Sequence, residues 1–134
     1  MKKTHSGSCH CGAVRFTAPL DLDEGIRKCN CTYCFKTGYR KAFVYGDSVV
    51  VTGGQAHIGH YAADPSSWPE GTIDHMFCTK CGYLEFEPFN GWFHAVNVST
   101  LDDVTPEELD AAPIVYEDGL HDQQMQAPSV TGYL

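Results

Sequence analysis

The seven cysteines of this chain stand in three tight clusters: Cys9 and Cys11, then Cys29, Cys31 and Cys34, then Cys78 and Cys81. Any fold the chain adopts has to respect them, because C-x-C and C-x-x-C are the spacings of metal-ligand pairs. In C-x-x-C a tight turn aims two sulfurs at one ion, and Gly82 frees the backbone to pass beneath Cys78 and Cys81. In C-x-C, side chains two apart on an extended segment share a face, so Cys9 and Cys11 act as a pair. Cys29, Cys31 and Cys34 combine both spacings and converge if the chain turns after Cys31. Two closed tetrahedral zinc sites would need eight thiolates. Seven make one closed site, of the structural kind, and one site with a position open to chemistry.

Two partitions fit the spacing. In the first, Cys9, Cys11, Cys78 and Cys81 form a closed four-thiolate site, and Cys29, Cys31 and Cys34 hold a second metal. In the second, Cys31 and Cys34 join Cys78 and Cys81, leaving Cys9, Cys11 and Cys29 together. The first keeps each local cluster intact. A disulfide framework fits neither the odd count nor residues 1–8, which are polar and lack the apolar run of an export signal. The expected compartment is therefore the cytoplasm or a nucleus, where thiols stay reduced.

At 134 residues a single domain over 1–134 is expected, with a polar, loosely held tail at 123–134. No segment is long and apolar enough to span a membrane. The formal net charge is −8, and no Lys or Arg follows Lys80. That balance argues against general nucleic-acid binding, which needs basic surface. Arg27, Lys28, Lys36, Arg40 and Lys41 form one basic neighbourhood around the three-cysteine motif. It reads either as a solvated face that offsets thiolate charge or as a place for a small anionic ligand.

The rest of the chain reads as short strands. Candidates are 12–18, 25–29, 41–45, 48–52, 55–61, 72–77, 83–87 and 92–98, separated by turn residues such as Gly46-Asp47 and Gly53-Gly54. A loop is expected over 64–71. One helix start is well marked, with Thr105 as cap, Pro106 in the first position and Glu108 completing a capping box. A second helical turn follows Cys31 or Cys34. The pattern predicts a mainly β fold of antiparallel sheets with one or two short helices.

Three segments resemble the signatures of the glutathione-dependent formaldehyde-activating enzyme and centromere protein V family. They are Gly7-Ser8-Cys9-His10-Cys11-Gly12-Ala13-Val14, then Cys29-Asn30-Cys31-Thr32-Tyr33-Cys34 followed by Lys36 and Gly38, then Phe77-Cys78-Thr79-Lys80-Cys81-Gly82. Val96-Asn97-Val98, Leu101-Asp102-Asp103 and Asp118-Gly119 are similar to its C-terminal part, so the resemblance implies a domain core at about 6–122. The resemblance implies antiparallel sheets clasped by zinc and selects the first partition, with Cys29, Cys31 and Cys34 on the catalytic zinc. The namesake enzyme, an S-(hydroxymethyl)glutathione synthase, joins glutathione to formaldehyde. Phe35 stands where relatives commonly carry a basic residue.

Three thiolates on one Zn²⁺ leave a net charge of −1, a weak Lewis acid for activating water. Receiving a thiol suits such a site better, since zinc deprotonates a bound thiol and the thiolate is the nucleophile. Glutathione sulfur is expected in the fourth position, with its carboxylates on the basic cluster. His57, His60, His75 and His94 fall on or beside strands and are expected in packing or surface roles, with His75 and His94 the candidates for outer partners of a metal ligand. His10 is expected to point away from the metal. Trp68, Trp92 and Tyr61 are expected in packing. The leading function is a zinc-dependent carbon–sulfur lyase-like enzyme handling a glutathione or other thiol adduct of an aldehyde. The alternatives are a non-catalytic zinc-stabilised binding module and, third, a nucleic-acid role.

Overall fold

The computed structural model describes residues 1–46, 49–62, 74–89 and 93–134, with side chains left aside at 62 and 84–89. The expected loop at 64–71, Trp68, Trp92 and the first residues of the 48–52 and 72–77 strands lie outside the described residues or at their limits. The strands are β1 (Lys3–Ser8), β2 (Arg15–Leu20), β3 (Ile26–Cys29), β4 (Arg40–Tyr45), β5 (Val50–Gly53), β6 (Ile58–Ala62), β7 (Asp74–Cys78), β8 (Leu84–Phe89), β9 (Phe93–Asn97) and β10 (Ile114–Glu117). Among the described residues there are two short α-helices, α1 (Thr32–Thr37) and α2 (Pro106–Ala111). The fold is mainly β, as expected.

The strands form a three-stranded sheet, β1-β2-β5, and a seven-stranded sheet, β10-β3-β4-β9-β8-β7-β6. All pairings are antiparallel except β10 with β3, which runs parallel. β2 alternates buried and less buried residues along its length, so Phe16, Ala18 and Leu20 all face inward. They meet Ile26 of β3, Ala42 and Val44 of β4 and Val96 of β9 in one apolar cluster between the sheets. Fully burying a side chain such as Phe16, Leu20 or Val44 is worth about 1.5–3 kcal/mol.

The Thr105 capping box is complete: its hydroxyl accepts from the Glu108 N–H at 3.1 Å, and the Glu108 carboxylate accepts from the Thr105 N–H at 2.8 Å. Thr105→Ala is expected to lower stability by about 1 kcal/mol, read from thermal or urea unfolding.

Sequence pattern and structure part in four places. The strand expected at 12–18 starts only at Arg15 and runs to Leu20, because Gly12 is held in the turn that carries Cys9 and Cys11. Residues 55–61 do not form one strand; a single 3-10 turn over Gln55–His57 precedes β6. β1 and β10 were not expected. The tail is not loose: the Asp118 N–H bonds the Gln126 carbonyl at 2.9 Å, Lys28 Nζ reaches the Leu134 carbonyl at 3.1 Å, and Tyr133 meets Phe35 of α1 edge-on at 5.5 Å.

Candidate metal centres

The four thiols of Cys9, Cys11, Cys78 and Cys81 lie within 4.8 Å of one another, and so do those of Cys29, Cys31 and Cys34. Among the described residues these are the two groups of this kind. The structure therefore groups the cysteines as the first partition does, with no mixing of the second and third clusters.

The first group is built from two related turns. β1 ends at Ser8, and Cys9 opens a turn in which the Cys9 N–H bonds the Val14 carbonyl at 3.1 Å and the Gly12 N–H bonds the Cys9 carbonyl at 2.9 Å. β7 ends at Cys78, where the Cys78 N–H bonds the Tyr83 carbonyl at 3.1 Å and the Gly82 N–H the Cys78 carbonyl at 2.7 Å. Gly12 and Gly82 both sit at positive φ, 76° and 73°, which a residue with a Cβ rarely adopts. Each turn aims a backbone N–H at its buried sulfur: Val14 N–H to Cys9 Sγ at 3.3 Å, Lys80 N–H to Cys78 Sγ at 3.4 Å. Cys11 stands 3.6 Å from Cys9 and 3.8 Å from Cys78, sulfur to sulfur. One turn belongs to the three-stranded sheet and the other to the seven-stranded sheet, so the four thiols join the two. Burial pushes the Cys9 thiol up to about 12, a cost that a cation among the sulfurs would reverse. Four convergent thiols, two of them buried and offered N–H donors, fit a tetrahedral zinc.

The second group lies at the end of β3. Cys29 closes the strand, Cys31 caps α1, and Cys34 sits in its first turn. The Cys31 sulfur accepts from the Cys34 N–H and the Cys29 sulfur from the Cys31 N–H, both at 3.4 Å. Hydrogen bonds from the Cys29 and Cys34 thiols hold Cys31 well below the ordinary thiol range, while hydrogen bonds with Cys29 and Cys31, and then burial, push Cys34 up. The Lys41 charge favours the thiolate at both. Three soft donors in this arrangement fit zinc with one position not supplied by the cluster.

The basic neighbourhood does not converge as a whole. Arg27 pairs with Lys41 across β3 and β4, on the face that carries Cys29, while Lys28 pairs with Arg40 on the opposite face. The buried Glu117 carboxylate lies between the first two, 3.4 Å from Arg27 Nη1 and 3.1 Å from Lys41 Nζ. The Arg27 guanidinium stands over the Phe43 ring at 4.6 Å. Arg40 instead bonds Ser99 at 2.8 Å, and Lys36 is exposed on α1.

His75 is buried and stacks on Tyr33 of the second cysteine segment, with ring centroids 3.6 Å apart. Tyr61 flanks the same pair, 6.1 Å from His75. His94 Nδ1 lies 3.1 Å from the Gly46 carbonyl, His60 bonds Asp74 at 2.7 Å, and His10 is exposed. Sequence reasoning passed over Asn30, which follows β3 inside the second group, and Glu117, which ends β10 beside Cys29. A polar residue held between two ligand cysteines, as in Cys29-Asn30-Cys31, was the available signal.

A model of the glutathione-dependent formaldehyde-activating enzyme family matches residues 4–118. A Halomonas elongata protein, provisionally named as such an enzyme, is 33% identical over 79 residues, covering 56% of this chain and 50% of that protein. The chain spans about half the length of that curated relative. The crystal structure of a Rhodobacter sphaeroides protein superposes with a TM-score of 0.68 at 26% identity, covering 82% of this chain and 99% of that one.

Proposed function

We propose that this chain, which belongs to the glutathione-dependent formaldehyde-activating enzyme family, is a zinc-dependent carbon–sulfur lyase-like enzyme acting on a glutathione or other thiol adduct of an aldehyde such as formaldehyde. The observation that carries the reading is the difference between the two thiol groups. One has four members and joins two sheets; the other has three and stands beside paired cations. Cys9, Cys11, Cys78 and Cys81 are read as the structural ligands, and Cys29, Cys31 and Cys34 as the catalytic ones. Zinc held by three thiolates would supply an open position and the charge that keeps an incoming thiol ionised.

The chain's own residues account for binding and orientation. Lys41 offsets the negative charge of the three thiolates. Arg27 and Lys41, set side by side on the face that carries Cys29, suit a carboxylate of the ligand. Phe43 and Phe93, 4.6 Å apart, give the same face an apolar floor. In the reaction the thiol sulfur joins the aldehyde carbon and the carbonyl oxygen takes a proton, so atoms balance without a redox partner. No helix among the described residues is long and apolar enough to cross a membrane; the free thiols suit a reducing cytoplasm. Residues 1–134 are read as one domain.

The test is metal stoichiometry with the sulfur environment resolved by X-ray absorption, alongside exchange of labelled formaldehyde with glutathione. Two zincs per chain are expected, one gaining a sulfur when glutathione is added, with exchange faster than in buffer. An unchanged sulfur environment together with exchange at the buffer rate would leave a binding module as the better description.

A further inference from the structure

β10 runs parallel to β3, so the chain leaving Glu117 passes directly beside Cys29, its register partner. What happens next depends on Asn30, which is 6% exposed. Its backbone N–H donates to the Glu117 carbonyl at 3.2 Å. Its side-chain amide donates to Asp118 Oδ1 at 2.7 Å, and its side-chain oxygen accepts from the Leu120 N–H at 2.9 Å. One residue between two cysteines thus holds 117, 118 and 120. His121 also contacts Asp118, its Nδ1 2.9 Å from both carboxylate oxygens.

Gly119 is left between these anchors, pressed against the cluster. A Cβ at 119 would lie 2.5 Å from the Cys29 sulfur and 3.1 Å from the Cys31 Cβ. Gly119 is not among the glycines at positive φ. The glycine is therefore needed for room and not for backbone conformation. The Cys29 sulfur also accepts from the Cys31 N–H at 3.4 Å.

We propose that Asn30, Asp118 and Gly119 form a latch that seats residues 118–121 on Cys29 and so sets the aim of the three thiols. These are positioning residues, and the inference rests on the reading that this group holds zinc. Metal–ligand distances tolerate only about ±0.2 Å, so a methyl that must displace the sulfur or the strap acts on the metal first. Asn30→Ala frees the strap, and Gly119→Ala pushes against it; both should affect the second zinc and spare the first.

The experiment is zinc stoichiometry and chelator-competition affinity of wild type, Asn30→Ala and Gly119→Ala, with thermal unfolding of each. Each variant is expected to keep its first zinc and its unfolding transition, and to bind the second zinc about 10–100-fold more weakly, the usual cost of losing an outer partner of a metal ligand. Wild type with two zincs and variants equal to it would sink the latch alone. Variants losing both zincs together with the fold would also overturn it, because the segment would then support the whole structure. A wild type taking up one zinc would remove the proposed second site, and the latch with it.

Discussion

Cys78→Ser is expected to abolish the fold. Cys78 is fully buried at the end of β7, and its sulfur receives the Lys80 N–H at 3.4 Å. It shares a group with Cys11, whose sulfur lies 3.8 Å away although the two are 67 residues apart in sequence. The thiols of this group come from turns in different sheets, so a metal held there opposes separation of the sheets. Structural zinc of this kind contributes about 10–16 kcal/mol of apparent binding free energy at neutral pH. A domain's net stability is only about 5–15 kcal/mol. Losing one ligand of four therefore threatens the whole margin, and a serine hydroxyl cannot replace the thiolate. The apolar cluster around Phe16 and Val96 remains, but it closes only while the sheets face each other. The measurement is far-UV circular dichroism with a thermal scan and zinc content. Loss of the cooperative transition is expected, and stripping the wild type with a strong chelator should give the same result. A Cys78→Ser protein that melts within a few degrees of wild type would overturn the structural role.

The parts of the fold legible in the sequence were those with local chemistry. The capping box at Thr105 announces α2 by itself, and alternating apolar residues announce β2, β4 and β9. β1 gave no such signal, because the residues it buries are His5 and Gly7. His5 is accommodated by Asp103, 2.9 Å from its Nδ1 and far along the chain. β10 is short and parallel to β3, and parallel pairing has no turn signature. The cysteine spacing could not choose between partitions, since both satisfy the local rules. The choice is made by β1 and β7 ending at the same place in space. The surroundings of the second group were least legible. Asn30 reaches Asp118 and Leu120 across 88 and 90 residues, and no periodicity encodes such contacts. The basic cluster was legible as composition only, because strand alternation sends Arg27 and Lys41 to one face and Lys28 and Arg40 to the other.

Cys31→Ser is the counterpart, expected to leave a folded protein without its chemistry. Cys31 caps α1, and its side chain accepts the Cys34 N–H. Serine is among the preferred caps, so the substitution keeps that hydrogen bond and the helix start. Cys31 is half-buried and lies away from the apolar cluster between the sheets. The four-thiol group is untouched. What is lost is one of three soft donors, and the Cys29 and Cys34 pair that remains is a poor zinc site. The expected protein has one zinc, a circular dichroism spectrum like wild type, and thiol–aldehyde exchange reduced by more than about 100-fold, since disturbing outer partners alone costs 10–100-fold. The comparison with Cys78→Ser carries the functional conclusion. If Cys31→Ser unfolds as Cys78→Ser does, the second group is another clasp, and a binding module replaces the enzyme. If it keeps both zincs and full exchange activity, the chemistry lies elsewhere on the chain. Only the split result, fold kept and exchange lost, assigns the three thiols to catalysis.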